Sequence, residues 1–234
     1  MSSLRKVWLL AVGFWVVMSA VCCLWSPATA ADMVIRYAPM ADAFARGEWS
    51  LAYHPRFGVL FMSLAGSVAW LTGLDGIRAC QVTGLGLLAF SAVPVWCAAK
   101  ALFDERTAWL AVLLTLVATE TFVYAIDGLR DCGRTLGLAL CVLGFVRGRA
   151  WPMALGTFLL VTLRTDLLSI TGALLLVWWI WAIRRRRWGG LALPTASWLA
   201  GIGLMCLMTH AQTGVWLPGA QFVKMYLKLT GGAL

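Results

Sequence analysis

Charged residues are spaced along this chain so that long apolar stretches run almost unbroken between them. The stretches cover 7–25, 57–73, 79–99, 107–126, 133–146, 150–163, 167–183 and 189–209. A hydrocarbon core takes about 20 apolar residues per helix, within a range of roughly 17 to 25, so these read as candidate spans. The period-2 alternation of a membrane barrel is absent, and in lipid a helix satisfies its own backbone groups. The pattern therefore predicts an all-α integral membrane protein. Between the short stretches 133–146 and 150–163, Arg147-Gly148-Arg149 leaves room only for a tight turn whose arginines snorkel to the headgroups.

Composition agrees with the pattern. Of 234 residues, 62% are hydrophobic and 12% charged, with 14 Trp, and the mean hydropathy is +0.84. Such a chain has too little polar surface to cover a soluble globule. No nucleic-acid partner is expected. Seven Cys, an odd number without a CxxC pair, argue for small packing residues rather than a disulfide framework or metal cluster.

Basic residues decide among topologies. Eight crossings from a cytoplasmic Arg5 and Lys6 would put Arg184, Arg185, Arg186 and Arg187 outside, whereas short loops rich in Arg belong in the cytoplasm. If 57–73 instead lies along the outer surface, that run falls inside, where it orients the chain and contacts anionic lipids. The expectation is about seven transmembrane helices plus amphipathic surface helices in the first external loop. The membrane domain is then 1–209, with external loop 26–78 and external tail 210–234, in a bacterial inner (plasma) membrane with the N-terminus cytoplasmic. A secretory signal cleaved after Ala28-Thr29-Ala30 is the competing reading of the first residues, but the apolar stretch 7–25 exceeds the roughly 7 to 15 residues of a signal core. On the seven-span layout Asp32, Asp127, Asp131, Arg164, Asp166 and the tail all reach one face, the external one.

The loop from Asp32 to Phe61 carries the densest pattern. Pro39 and Gly47 bracket a short helix over about 38–46, expected to lay Met40, Ala41 and Phe44 on the membrane while Asp42 and Arg46 face water. His54-Pro55-Arg56 then turns the chain into 57–73. An interfacial loop anchored by aromatics and a functional site are both compatible with this. Farther on, Glu120, Tyr124, Asp127 and Asp131 are spaced to share one face of a continuous helix. An acid inside a span is a functional candidate by default; for Glu120 the bland account is a partner to a neighbouring Arg or Thr, and for Asp127 and Asp131 a solvated turn at Gly128. His210 reads as a structural histidine at a span end, and Trp178, Trp179 and Trp181 as lipid-facing.

Asp32, Tyr37, Ala41, Ala45, Gly47-Glu48-Trp49 and His54-Pro55-Arg56-Phe57-Gly58 occur in an order that resembles the first external loop of the membrane-embedded GT-C glycosyltransferases, particularly the protein O-mannosyltransferases and the aminoarabinose-transferase relatives. The chain departs at Met33, where many members carry a second acid, and at Arg56, where the mannosyltransferases usually repeat Pro. More loosely, Gly73-Leu74-Asp75-Gly76, Arg78 and Val93-Pro94-Val95 resemble the region from the surface helix to the second span. Leu129-Arg130-Asp131 and Leu163-Arg164-Thr165-Asp166-Leu167-Leu168 resemble later loops of the superfamily. The likeness covers roughly 7–185, its seven-helix module.

The resemblance implies transfer of a sugar from a polyprenyl-phosphate donor to an acceptor, with inversion. Such chemistry needs a carboxylate to accept the acceptor's proton, and cations or a divalent metal ion to stabilise the phosphate leaving group. Asp32 is the expected base, with Asp131 beside it. Arg78 and Arg164, then Arg56 and Arg130, are the expected phosphate contacts, since a guanidinium fork matches phosphate oxygens. Glu120, Asp127, His54 and Asp166 are possible supporting residues. The alternative is a non-catalytic membrane protein: a truncated or accessory GT-C-like subunit working with a partner, or a small transporter or scaffold. No internal repeat supports a transporter.

Overall fold

A computed structural model describes residues 2–25, 30–54 and 57–219, with Phe222 and Met225. The cleavage site at 28–30 of the competing signal reading, Arg56 and most of the tail beyond 219 fall wholly or partly outside these residues. Every described element is helical. The helices are α1 (Ser3–Trp25), α2 (Ala38–Ala45), α3 (Trp49–Ala52), α4 (Val59–Thr72), α5 (Gly76–Leu102), α6 (Glu105–Val117), α7 (Thr119–Ile126), α8 (Cys132–Arg147), α9 (Ala150–Leu163), α10 (Leu168–Arg184) and α11 (Gly189–Thr213). The chain is an all-α integral membrane protein. α1, α5 and α11 are long and apolar enough to cross a bilayer, and the bent pair α6–α7 is a fourth such segment if counted as one.

α5 is the axis of the bundle. Two thirds of its most apolar window (67%) is buried inside the protein, against 17% for α1 and α11, and α1, α4, α6, α7 and α8 pack around it. The Trp15 indole of α1 donates to the Val82 carbonyl of α5 at 2.9 Å, and a side chain at Gly86 would crowd that indole. The second seam joins α8 to α9. A Cβ on Gly156 would come within 2.6 Å of the Gly137 carbonyl and 2.7 Å of the Cys141 sulfur. The two backbones touch because small residues let them, the usual device where lipid supplies no hydrophobic drive between helices. α11 is fastened outside this pair by Ser197 donating to the Ala154 carbonyl (2.8 Å) and Trp198 donating to the Thr171 hydroxyl (3.0 Å).

Several sequence expectations change. The stretch 107–126 is not one straight helix: it breaks at Ala118, whose ψ of 111° leaves the helical region, and α6 and α7 meet at 49°. The stretch 57–73 forms α4 with Phe61, Met62, Ala65, Gly66 and Ala69 buried. At 14 residues it matches α9, so length does not single it out as the weak crossing. α2 begins and ends close to expectation, but Met40 and Ala41 are buried against α4 and α5 rather than laid on lipid. Trp178 is buried too, donating to the Gly190 carbonyl at 3.0 Å and stacking on Trp181. Trp179 does face outward, and Arg147-Gly148-Arg149 forms the expected tight turn with Gly148 in the left-handed region.

Asp75, in a Gly-flanked turn, caps α5: its carboxylate accepts from the Arg78 backbone N–H at 2.8 Å and pairs with the Arg78 side chain at 3.1 Å. N-caps of this kind are worth about 1 kcal/mol, while a half-exposed ion pair is worth roughly 0 to 1 kcal/mol. Asp75→Ala is therefore expected to lower the unfolding free energy in detergent by about 1 kcal/mol. Asp75→Asn, which keeps the cap, should stay closer to wild type, and thermal unfolding of the three proteins checks the order.

Candidate functional site

The helix after the first span begins with a π turn. Over Met33–Tyr37 the hydrogen bonds widen, and the Ala38 N–H reaches back to the Met33 carbonyl. This turn places Asp32 and Arg36 together at 2.8 Å on its outer side, Asp32 being 57% exposed, and drives Met33 and Tyr37 into the core. π turns are rare and recur at functional positions.

Phe57 is the hub beneath. Its ring meets Tyr37 edge-on at 5.1 Å and His54 at 5.4 Å. Two guanidinium groups lie over it, Arg130 at 5.3 Å and Arg36 at 5.9 Å, each within the range where a ring face attracts a cation. Arg130 comes from the turn between α7 and α8, which Gly128 makes by adopting φ +66° against the backbone of Cys80 and Gln81. Burial pushes the Arg130 guanidinium below its ordinary pKa, while Tyr37, Asp166 and Asp131 work against that. Burial also raises the Tyr37 phenol; Arg130 and Arg164 oppose the rise, and Asp131 and Asp32 add to it.

Arg164 holds the next layer. It follows α9, and its guanidinium bonds Asp131, at the start of α8, on one side. On the other side it bonds Asp166 through two hydrogen bonds of 2.9 and 2.6 Å. The Asp166 hydrogen bond is the main reason the Arg164 pKa is raised. Burial would lift the Asp166 carboxyl, but the Arg164 hydrogen bond and charge outweigh it and leave the group below its ordinary value. Three arginines (36, 130 and 164) and three aspartates (32, 131 and 166) thus gather around Tyr37 and Phe57.

Beside Arg36 and Phe57 opens a cavity of about 570 Å³ between α2 and α3, lined also by Met40, Arg46, Tyr53 and His54. Its walls are mostly apolar, with Arg36, Arg46 and His54 among the lining residues. That is a shape and polarity suited to an amphiphile with an anionic end.

The structure thus brings together Asp32, Arg130, Asp131, Arg164 and Asp166, with His54 at the cavity. Arg78 is engaged elsewhere by Asp75, at the start of α5. Glu120 is not a buried acid: it is exposed and accepts from the Tyr124 hydroxyl at 3.0 Å. Asp127 ends α7, so the continuous helical face from Glu120 to Asp131 does not exist. Arg56 lies outside the described residues. Arg36 was missed as a site residue, although its i,i+4 spacing from Asp32 is the ordinary signal for a helical ion pair. Phe57 reads in the sequence as the start of the apolar stretch 57–73 and as part of the motif around Pro55, and nothing local marks a ring that will sit under two arginines.

Asp131 and Asp166 converge, but the Arg164 guanidinium fills the space between them and uses their oxygens. Among the described residues no group of three or more His, Cys, Asp or Glu is arranged to hold a metal. No family of known proteins, no curated protein and no solved structure matches the chain. Fold and site together define an integral membrane protein with a charged, aromatic-floored cluster at one end of its helices.

A depressed carboxyl contributes stability that is present above its unfolded value, about 3.9 for Asp, and lost as pH falls through the folded value. The Arg164–Asp166 contribution should therefore be intact at pH 6 and vanish on acidification below about pH 4. Asp166→Asn is expected to unfold at a lower temperature than wild type at pH 6, with the difference shrinking toward pH 3. A constant difference across that range would count against the ion pair.

Proposed function

We propose that the chain is a GT-C-like membrane module that seats a phosphate-bearing lipid at the Arg36–Arg130–Arg164 cluster, its hydrocarbon end along the cavity between α2 and α3. The observation that carries the reading is the placing of Arg130 and Arg36 over Phe57, beside a mostly apolar cavity. Guanidinium groups suit phosphate oxygens.

The transfer step builds on that seat. A sugar joined to polyprenyl phosphate is attacked at its anomeric carbon by an acceptor hydroxyl from the opposite side. The new C–O bond forms as the bond to the phosphate oxygen breaks, the hydroxyl proton passes to Asp32, and polyprenyl phosphate leaves with the bonding pair. Inversion follows from a single displacement. One carboxylate is enough, since the phosphate is a weakly basic leaving group, unlike the paired acids of a glycosidase. For the base role Asp32 must part from Arg36, and its exposure leaves it within reach of an acceptor from water.

A second reading is favoured by the same ion pairs. Asp32, Asp131 and Asp166 each already hold an arginine, which supports a binding or accessory subunit of the same architecture without chemistry of its own. The geometry supports lipid seating more directly than transfer. The seven-crossing topology, with α4 along the outer surface and the N-terminus in the cytoplasm, belongs to this proposal. Its support is the exposed run Arg184–Arg187 on the same end as Arg147 and Arg149.

The test uses purified protein in lipid with a panel of polyprenyl-phosphate sugars, reading both donor binding and release of lipid phosphate. Asp32→Asn should lower turnover by about 100- to 10,000-fold with binding kept, and Arg130→Gln should weaken binding. Donor binding without turnover in wild type selects the accessory reading. No binding to any donor removes both.

A further inference from the structure

A second cavity lies at the other end of the bundle. α8 starts at the Asp131 cluster and ends 16 residues later at Arg147, about 24 Å away along the helix axis. There a groove of about 340 Å³ runs between α1, α5, α8 and α9. Its walls are Trp8, Phe90, Pro94, Leu140 and Leu155, and Arg147 and Arg149 stand at its edge. Trp8 and Leu155 are 45% and 43% exposed, so the groove opens sideways, where the surrounding hydrocarbon lies.

The charge at this end is unbalanced. Among the described residues neither Arg147 nor Arg149 has an acidic partner. Arg147 donates to the Cys97 carbonyl, at 3.4 Å. The acids that follow α5 at this end, Asp104 and Glu105, are already used: Asp104 accepts from the Thr107 backbone at 2.7 Å, and Glu105 pairs with Lys100 at 2.7 Å. The Gly148 turn adds a third cation, because its carbonyl accepts from Arg187 at 3.2 Å. A lipid-facing apolar groove that ends on arginines lacking carboxylates calls for an amphiphile whose head is an anion.

We infer that this groove is a binding site for one anionic diacyl phospholipid of the bilayer, with an acyl chain against Trp8, Phe90 and Leu155 and its phosphate between Arg147 and Arg149. The site is independent of the donor seat at the opposite end. Charge complementarity selects the head, and the sideways opening selects a lipid that arrives from within the leaflet.

Native mass spectrometry of the full chain in mixed micelles tests this with phosphatidylglycerol against phosphatidylcholine. Wild type should retain one phosphatidylglycerol in preference to phosphatidylcholine. Arg147→Gln with Arg149→Gln should weaken phosphatidylglycerol binding roughly 30-fold, the attraction of two surface arginines for anionic lipid expressed as a ratio. Leu155→Trp, which fills the groove and leaves the arginines in place, should displace the same lipid. Arg184→Gln with Arg186→Gln should keep it, and thermal unfolding confirms that each variant is folded. Equal retention of the two lipids overturns the site. So does loss in the double variant without loss in Leu155→Trp, because head-group attraction alone would then suffice. Equal loss in the Arg184 and Arg186 variant would show a diffuse basic surface and overturn it too. Displacement by an equal amount of a polyprenyl phosphate would overturn the choice of ligand.

Discussion

The direct contact of α8 with α9 is the constraint on which the charged end of the molecule depends. Gly137 and Gly156 let the two backbones close on each other, and the hairpin has no slack in which to spread. At its open end Asp131 on one helix and Arg164 on the other therefore meet, and Asp166 joins from the 3-10 turn that follows. With Asp131 held, Arg130 next to it is delivered over Phe57. Any bulk inserted in the seam would be felt some 10 to 20 Å away, through a stiff lever of helix turns.

Much of the fold is legible in the sequence because membranes simplify the grammar. Runs of apolar residues bounded by charges delimit α1, α5, α9 and α11 within a few residues, since in hydrocarbon a segment has no alternative to the helix. Short-range punctuation is legible as well: Pro39 and Gly47 bracket α2, and Gly148 makes its turn. What escapes is tertiary. Ala118 breaks 107–126 without a Pro or Gly to announce it. The apolar face of α2 looks the same in sequence whether it meets lipid or α4, and Trp178 looks the same whether it faces lipid or the core. A hydrophobic residue in a membrane protein carries no label for which apolar surroundings it enters.

The candidate site follows the same division. Loop order and spacing point to Asp32, Arg130, Asp131, Arg164 and Asp166, and these five do come together. Arg78 and Glu120 resemble them chemically but are bound locally, to Asp75 and Tyr124, at separations of three and four residues. A local partner is already in place before the chain folds back on itself, so it competes well against distant ones. Phe57 and Arg36 complete the site through contacts that no single window of sequence contains.

The π turn at Met33–Tyr37 carries one further consequence, of register. A helix that widens for one turn has accepted an extra residue without unwinding. Taking that residue away would return the turn to ordinary helix spacing and change which of its residues face the core. The turn carries Asp32 on its outer side and sends Tyr37 inward to meet Phe57. In this short segment the spacing between residues matters as much as their identity, and insertions or deletions there would be less tolerable than most substitutions.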